Sequence, residues 1–221
     1  MREVEPSVLL LSHTPEPELL IERAGRTCYK SEGRITEGSS TAFIKMLLSP
    51  SRRHESVLEH ASATFLIQTD RGISHELVRH RLASYSQVST RYVQYKNEIC
   101  VLRPSGLGEA GGLAYSIWRA ACRGSEWAYF ALLALGLKPE VARSVLPTCL
   151  STELVMTANF REWRHFLSLR LASGAHPDMR IIAGLIRDEL VKIAPAVFEE
   201  FTVSSNKKEE CGSTSAATRT Q

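Results

Sequence analysis

The stretch ELVRHRLASYSQVSTRY, residues 76–92, sets Arg79, His80 and Arg81 in succession, follows them with small hydroxyl and amide side chains, and adds one more cation at Arg91. GISHELVRHRL (72–82) has helical spacing, so the three basic residues are predicted to end an amphipathic helix. At about 100° per residue they would fan over roughly 200° of its surface, and some must then face a core or a cleft. Arginine's planar fork suits a phosphate or carboxylate gripped at two points. Ser84, Ser86, Gln87, Ser89 and Thr90, on an expected extended loop, supply hydrogen-bonding groups without bulk. A site for an anionic, polar ligand has this composition; a solvated basic turn after a helix is the alternative.

Elsewhere in the chain, ASATFLIQT (61–69) alternates like a strand, STELVMTA (151–158) reads as a second, and SVLLLSHTP (7–15) as a short buried one. Helices are predicted over 17–31, over 40–50 with Ser40 as cap, over 112–136 with Gly136 just past the end, and within 138–147. Two more are predicted over 159–171, capped by Asn159, and from about Pro177 to Ile193. This irregular order argues for an α+β fold around a small sheet. The 221 residues fit one domain, placed at 1–201, with 202–221 as a disordered tail that has almost nothing to bury. Trp118, Trp127 and Trp163 are expected in the core. So is Cys149, and His60 is expected to bond within the fold.

With 43% hydrophobic and 23% charged residues, the composition excludes a disordered or collagen-like chain. A net charge of +3 is too small to argue for nucleic acid as the main ligand. No apolar run approaches the roughly 20 residues of a membrane helix. The acidic N-terminus lacks a signal-peptide core, which makes a cytoplasmic location the default. Five widely spaced cysteines read as reduced thiols. His54 and His60 are six apart and His75 and His80 five apart, unlike a helical i, i+4 metal pair, so no metal is expected. No GxGxxG, P-loop or GxSxG motif is present.

Arg79-His80-Arg81, seven residues and then Ser89, continued by Arg91 and Tyr92, resembles the RHRx7S signature of flavin-dependent thymidylate synthases. HESVLEH (54–60) resembles that family's H-E-x-x-x-E-H segment, and PEVARSVLP (139–147) its arginine-bearing helix. NFREWRHFLSLRLASGAHPDMR (159–180) is similar to its N-x-R…F-x-x-L-R region. His165 and His176 stand where amides are common there, and Asp178 where Glu is commoner. The resemblance covers roughly residues 10–201, with its blocks in the family's order.

The resemblance implies a small, mainly antiparallel sheet with flanking helices, in the complex thymidylate-synthase-complementing fold. It implies an enzyme that converts dUMP to dTMP with bound FAD, using NADPH and 5,10-methylenetetrahydrofolate as co-substrates. By position, Ser56, Arg79, His80, Arg81, Gln87, Asn159, Arg161 and His165 are expected to contact FAD. Glu76, Leu77, Val78, Arg79, Gln87, Val88, Ser89, Thr90, Arg91, Arg143 and Arg170 are expected to contact dUMP. Arg170 would face the uracil, His54 would lie beside the flavin, and Ser89 would be the signature serine of the reaction site. The family further implies a homotetramer with active sites shared between chains. The alternatives are a diverged flavoprotein methylating another substrate and an RNA-binding module built on the basic segment 71–91.

Overall fold

The computed structural model describes residues 1–203. The strands in chain order are β1 (Arg2–Glu3), β2 (Ser7–His13), β3 (Ser62–Asp70), β4 (Ala83–Gln87), β5 (Cys100–Val101) and β6 (Ser151–Asn159). Period-two burial organises the main sheet. Ala63, Phe65, Ile67 and Thr69 of β3, with Thr152, Leu154, Met156 and Ala158 of β6, face inward. These two strands pair along their full length, from Ser62 opposite Asn159 to Asp70 opposite Ser151. The sheet order is β2-β3-β6-β4, antiparallel throughout, and β1 pairs with β5 as a separate parallel ribbon.

The helices are α1 (Pro17–Thr27), α2 (Ser39–Leu47), α3 (Arg71–Leu77), α4 (Leu113–Ala134), α5 (Pro139–Ala142), α6 (Phe160–Arg170), α7 (Pro177–Ile193), α8 (Pro195–Phe198) and α9 (Glu200–Val203). The inner sheet face is covered by α6 and α7. Phe160, Trp163, Phe166 and Leu167 recur at helical spacing on α6; Met179, Ile182, Ala183, Ile186 and Leu190 do so on α7. Trp163 anchors the contact, its indole N–H donating to the Ala63 carbonyl at 3.1 Å and its ring meeting Phe65 edge-on at 5.1 Å. A second small core of Ile99, Val101, Cys122 and Leu150 packs beneath α4.

Two strand-to-helix junctions position the site. Asp70 ends β3 and caps α3, accepting the Ile73 N–H at 2.8 Å. Asn159 ends β6 and caps α6, accepting the Glu162 N–H at 2.9 Å. The short α3 carries the chain back across the sheet, so that β4 starts opposite Ala158, beside the first turn of α6.

Several expectations are corrected. The helix expected over 72–82 ends at Leu77, because the Tyr85 hydroxyl lies 2.8 Å from the Leu77 carbonyl and 2.7 Å from that of His80, drawing the chain into a turn. Arg79, His80 and Arg81 therefore occupy that turn rather than a helix. The loop expected after them is β4, which pairs with β6. Gly38, at φ 76°, takes the cap position of α2 in place of Ser40. Trp127 is 74% exposed because α4 buries only Cys122 and Tyr129; Trp118 and Cys149 are half-buried. His60 is exposed. Gly136 does end α4 as expected: at φ 86° its N–H reaches the Leu133 carbonyl and that of Leu137 reaches Leu132. The tail expected over 202–221 lies, from residue 204 on, outside the described residues. Among those described, no helix is long and apolar enough to cross a membrane.

Candidate active site

A cleft of about 1070 Å³ opens where the turn after α3 meets α6. Seven of the expected site residues line it: Arg79, His80, Arg81, Asn159, Arg161, His165 and Arg170. Its charges are unevenly matched. Arg161 pairs with Glu59, Arg164 with Glu200 and Glu55, and Arg170 with Glu76. The Arg79 and Arg81 guanidiniums bond to no partner among the described residues, which leaves two forked cations for an anionic ligand.

The same cleft holds a partly buried relay. Arg170 Nε donates to His80 Nε2 at 3.1 Å, and its terminal nitrogens reach the Glu76 carboxylate at 3.0 Å and the Glu76 carbonyl at 3.2 Å. His80 Nδ1 lies 3.0 Å from Glu162 Oε1. A guanidinium nitrogen can only donate, so Nε2 accepts and Nδ1 carries the ring proton. Burial pushes His80 below the ordinary histidine range; the bond to Glu162 opposes that shift and the charge of Arg170 adds to it. Burial likewise pushes the Tyr85 phenol up to about 12, so it remains a donor to the turn. His80, Glu162 and His165 each bring a potential metal-ligand atom within 4.8 Å of the others. Both His80 nitrogens are already engaged, so a metal ion would have to break this relay.

His54 and Ser56 flank the cleft on an exposed segment whose Glu55 and Glu59 line it. The Leu77 side chain is fully buried, so only its backbone could meet a ligand, whereas Val78 is exposed. The remaining residues gather at the other end of β4, a strand about 13 Å long at 3.3 Å per residue. There Gln87 donates to Ser74 and Thr152, and the Val88 N–H to the Glu153 carbonyl. Ser89 accepts the Arg91 N–H at 3.3 Å, Arg91 pairs with Glu140 at 3.2 Å, and Arg143 donates to Thr90 at 3.3 Å. None of these lines the cleft. The chain thus holds two groups of expected site residues, one at each end of β4.

The motifs did not single out two residues that line the cleft, Glu162 and Arg164. Glu162 had a signal, since it stands three residues after the Asn159 cap, where a capping-box acid belongs. Arg71, at the start of α3, has a buried guanidinium nitrogen without a partner among the described residues, and its backbone N–H meets the Thr148 and Leu150 carbonyls.

The family model described as thymidylate synthase complementing protein matches residues 9–196, both ends of β4 included. The chain belongs to this family. A flavin-dependent thymidylate synthase of Geobacter sulfurreducens is 37% identical over 200 residues, covering 87% of this chain and 85% of its own. One from Mycobacterium tuberculosis is 36% identical over 204 residues, covering 84% and 80%. Among solved structures, the UMP/dUMP methylase PolB from Streptomyces cacaoi, bound with 5-Br dUMP, superposes with a TM-score of 0.75 at 29% identity, covering 91% of this chain and 97% of that one. The α+β fold with a small antiparallel sheet, expected from the resemblance, is the fold found.

Proposed function

We propose that this protein converts dUMP to dTMP, with FAD held in the cleft and with methylenetetrahydrofolate and NADPH supplying the carbon and the reducing equivalents. The observation that carries the reading is the pair Arg79 and Arg81, without partners among the described residues, in a cleft slightly larger than the usual ligand pocket. The donor set fits FAD: its diphosphate suits the two guanidiniums, and Asn159, Arg161 and His165 of α6 and its cap offer polar contacts in the same cleft. When bound, FAD supplies the hydride chemistry that side chains cannot perform. The chain's own contribution is positional and electrostatic. Arg170, locked by Glu76 and His80, presents a fixed cation that stabilises negative charge pushed into the uracil ring. Arg91, Arg143 and Ser89 form a clamp for the nucleotide phosphate.

Because the clamp and the cleft stand at opposite ends of β4, we further propose that the protein is a homotetramer in which the clamp of one chain completes the cleft of another. The domain is taken as 1–201 and the location as cytoplasmic, in keeping with the free cysteines Cys28, Cys100, Cys122 and Cys149.

PolB acts on UMP as well as dUMP, which makes UMP the second substrate to try; the higher identity to the synthases favours dUMP. Purified protein reconstituted with FAD should form dTMP only when dUMP, methylenetetrahydrofolate and NADPH are all present, and should oxidise NADPH faster with dUMP than without it. Absence of dTMP with all components supplied would refute the assignment, and preferential methylation of UMP would shift the substrate.

A further inference from the structure

We propose that Glu162 is a positioning residue that holds His80 in the one tautomer able to fix Arg170 toward the substrate. The inference rests on the role given to Arg170 above and goes beyond it. Glu162 and His80 are each 5% exposed, so their 3.0 Å contact is sheltered from water. The Arg170 Nε–H is an obligatory donor and needs an acceptor at His80 Nε2. That nitrogen accepts only while the ring proton stays on Nδ1, and a carboxylate facing Nδ1 keeps it there, since an ionised carboxylate can only accept. The chain Glu162–His80–Arg170–Glu76 thus has one consistent assignment of protons, running from the first turn of α6 through the turn after α3 to the last turn of α6 and back to α3.

The position of Glu162 reinforces this reading. At the third residue of a helix capped by Asn159, a glutamate ordinarily folds back toward the cap. Here it turns to the histidine of another segment. The charged and titratable groups around the ring are Glu162, His165 and Arg170 from α6, Tyr85 from β4, and Glu76 of α3 acting through Arg170. Glu55 and Glu59 lie on the same cleft.

Glu162→Gln keeps the shape but allows the amide to donate to Nδ1. The proton can then move to Nε2, where it confronts the Arg170 N–H, donor against donor. The FAD-loaded variant should keep its flavin and lose kcat by roughly 10- to 100-fold, a greater change than in KM for dUMP. Its pH profile should move as well. In the wild type, activity falls as acid protonates His80, because Nε2 then becomes a donor. Without the Glu162 anion that proton is held less tightly, so the acid limb should shift to lower pH. An unchanged kcat and acid limb, in a preparation whose wild-type counterpart makes dTMP, would overturn the proposal.

A second measurement does not depend on activity. In 15N-histidine-labelled wild-type holoenzyme, His80, assigned by loss of its signals in His80→Gln, should show a protonated Nδ1 and a bare Nε2. Finding the proton on Nε2 would refute the relay even if the enzyme proves active, and finding it on Nδ1 would support the relay even if the substrate assignment fails.

Discussion

Ser89 accepts the Arg91 backbone N–H and bonds to no histidine or carboxylate among the described residues, so nothing beside it acts as the base that a serine nucleophile requires. Its place among Thr90, Arg91 and Arg143 suits a phosphate contact instead. Ser89→Ala should weaken dUMP binding by roughly 3- to 10-fold, the worth of one ordinary hydrogen bond, while turnover at saturation persists. Titration calorimetry and saturating kinetics measure the two; a dUMP adduct on Ser89 in the mass spectrum would contradict the assignment. The sequence makes such residues visible when they carry a motif, as Arg79, His80 and Arg81 do. Glu162 was harder to find: its spacing from Asn159 signals a capping-box acid, whereas its bond to a histidine 82 positions away exists only in the folded chain.

At the scale of elements, α6 matters most, since Asn159, Arg161, Glu162, His165 and Arg170 all ride on it or on its cap. Asn159→Ala removes the bond to the Glu162 N–H and should cost about 1 kcal/mol, or a fall of about 2–4 °C in the melting temperature of the apoprotein. Asn159→Asp should keep the cap, and with it the melting temperature, yet weaken FAD binding by placing a negative charge where the diphosphate is proposed to lie. Calorimetry and flavin fluorescence separate the effects; an Asp variant that binds FAD as tightly as wild type would remove the diphosphate from that position. The Asn159 cap of α6 and the extents of α6, α7, β3 and β6 were legible because local preference and tertiary packing agree there. β4 was not. Ile73, Leu77 and Val78 carry a helical period up to its edge, and its own alternation of Ala83, Tyr85 and Gln87 with Ser84 and Ser86 is too polar to announce a strand until β6 offers its free edge. Trp127 was misplaced for a related reason: α4 has apolar residues on more than one face, and composition does not tell which face the single chain buries.

Across the whole molecule, the segments 54–60, 79–91, 139–147 and 159–180 announce one site in the sequence, and folding sorts them into two. Arg170 stands with the cleft, Arg91 with the cluster beyond the far end of β4, and a paired strand cannot fold back to bring them together. The proposed meeting of these halves across chains is tested by mixing two defective proteins. Arg91→Ala and Arg170→Ala should each be nearly inactive, since each removes a charge-assisted contact to an anion. When the two are co-expressed and reassociate at random, half the pairs are mixed and half the sites in those pairs are intact, so about a quarter of wild-type activity should return. Activity no higher than the sum of the separate variants, with subunit exchange verified by mass spectrometry, would contradict the claim and place the whole site within one chain.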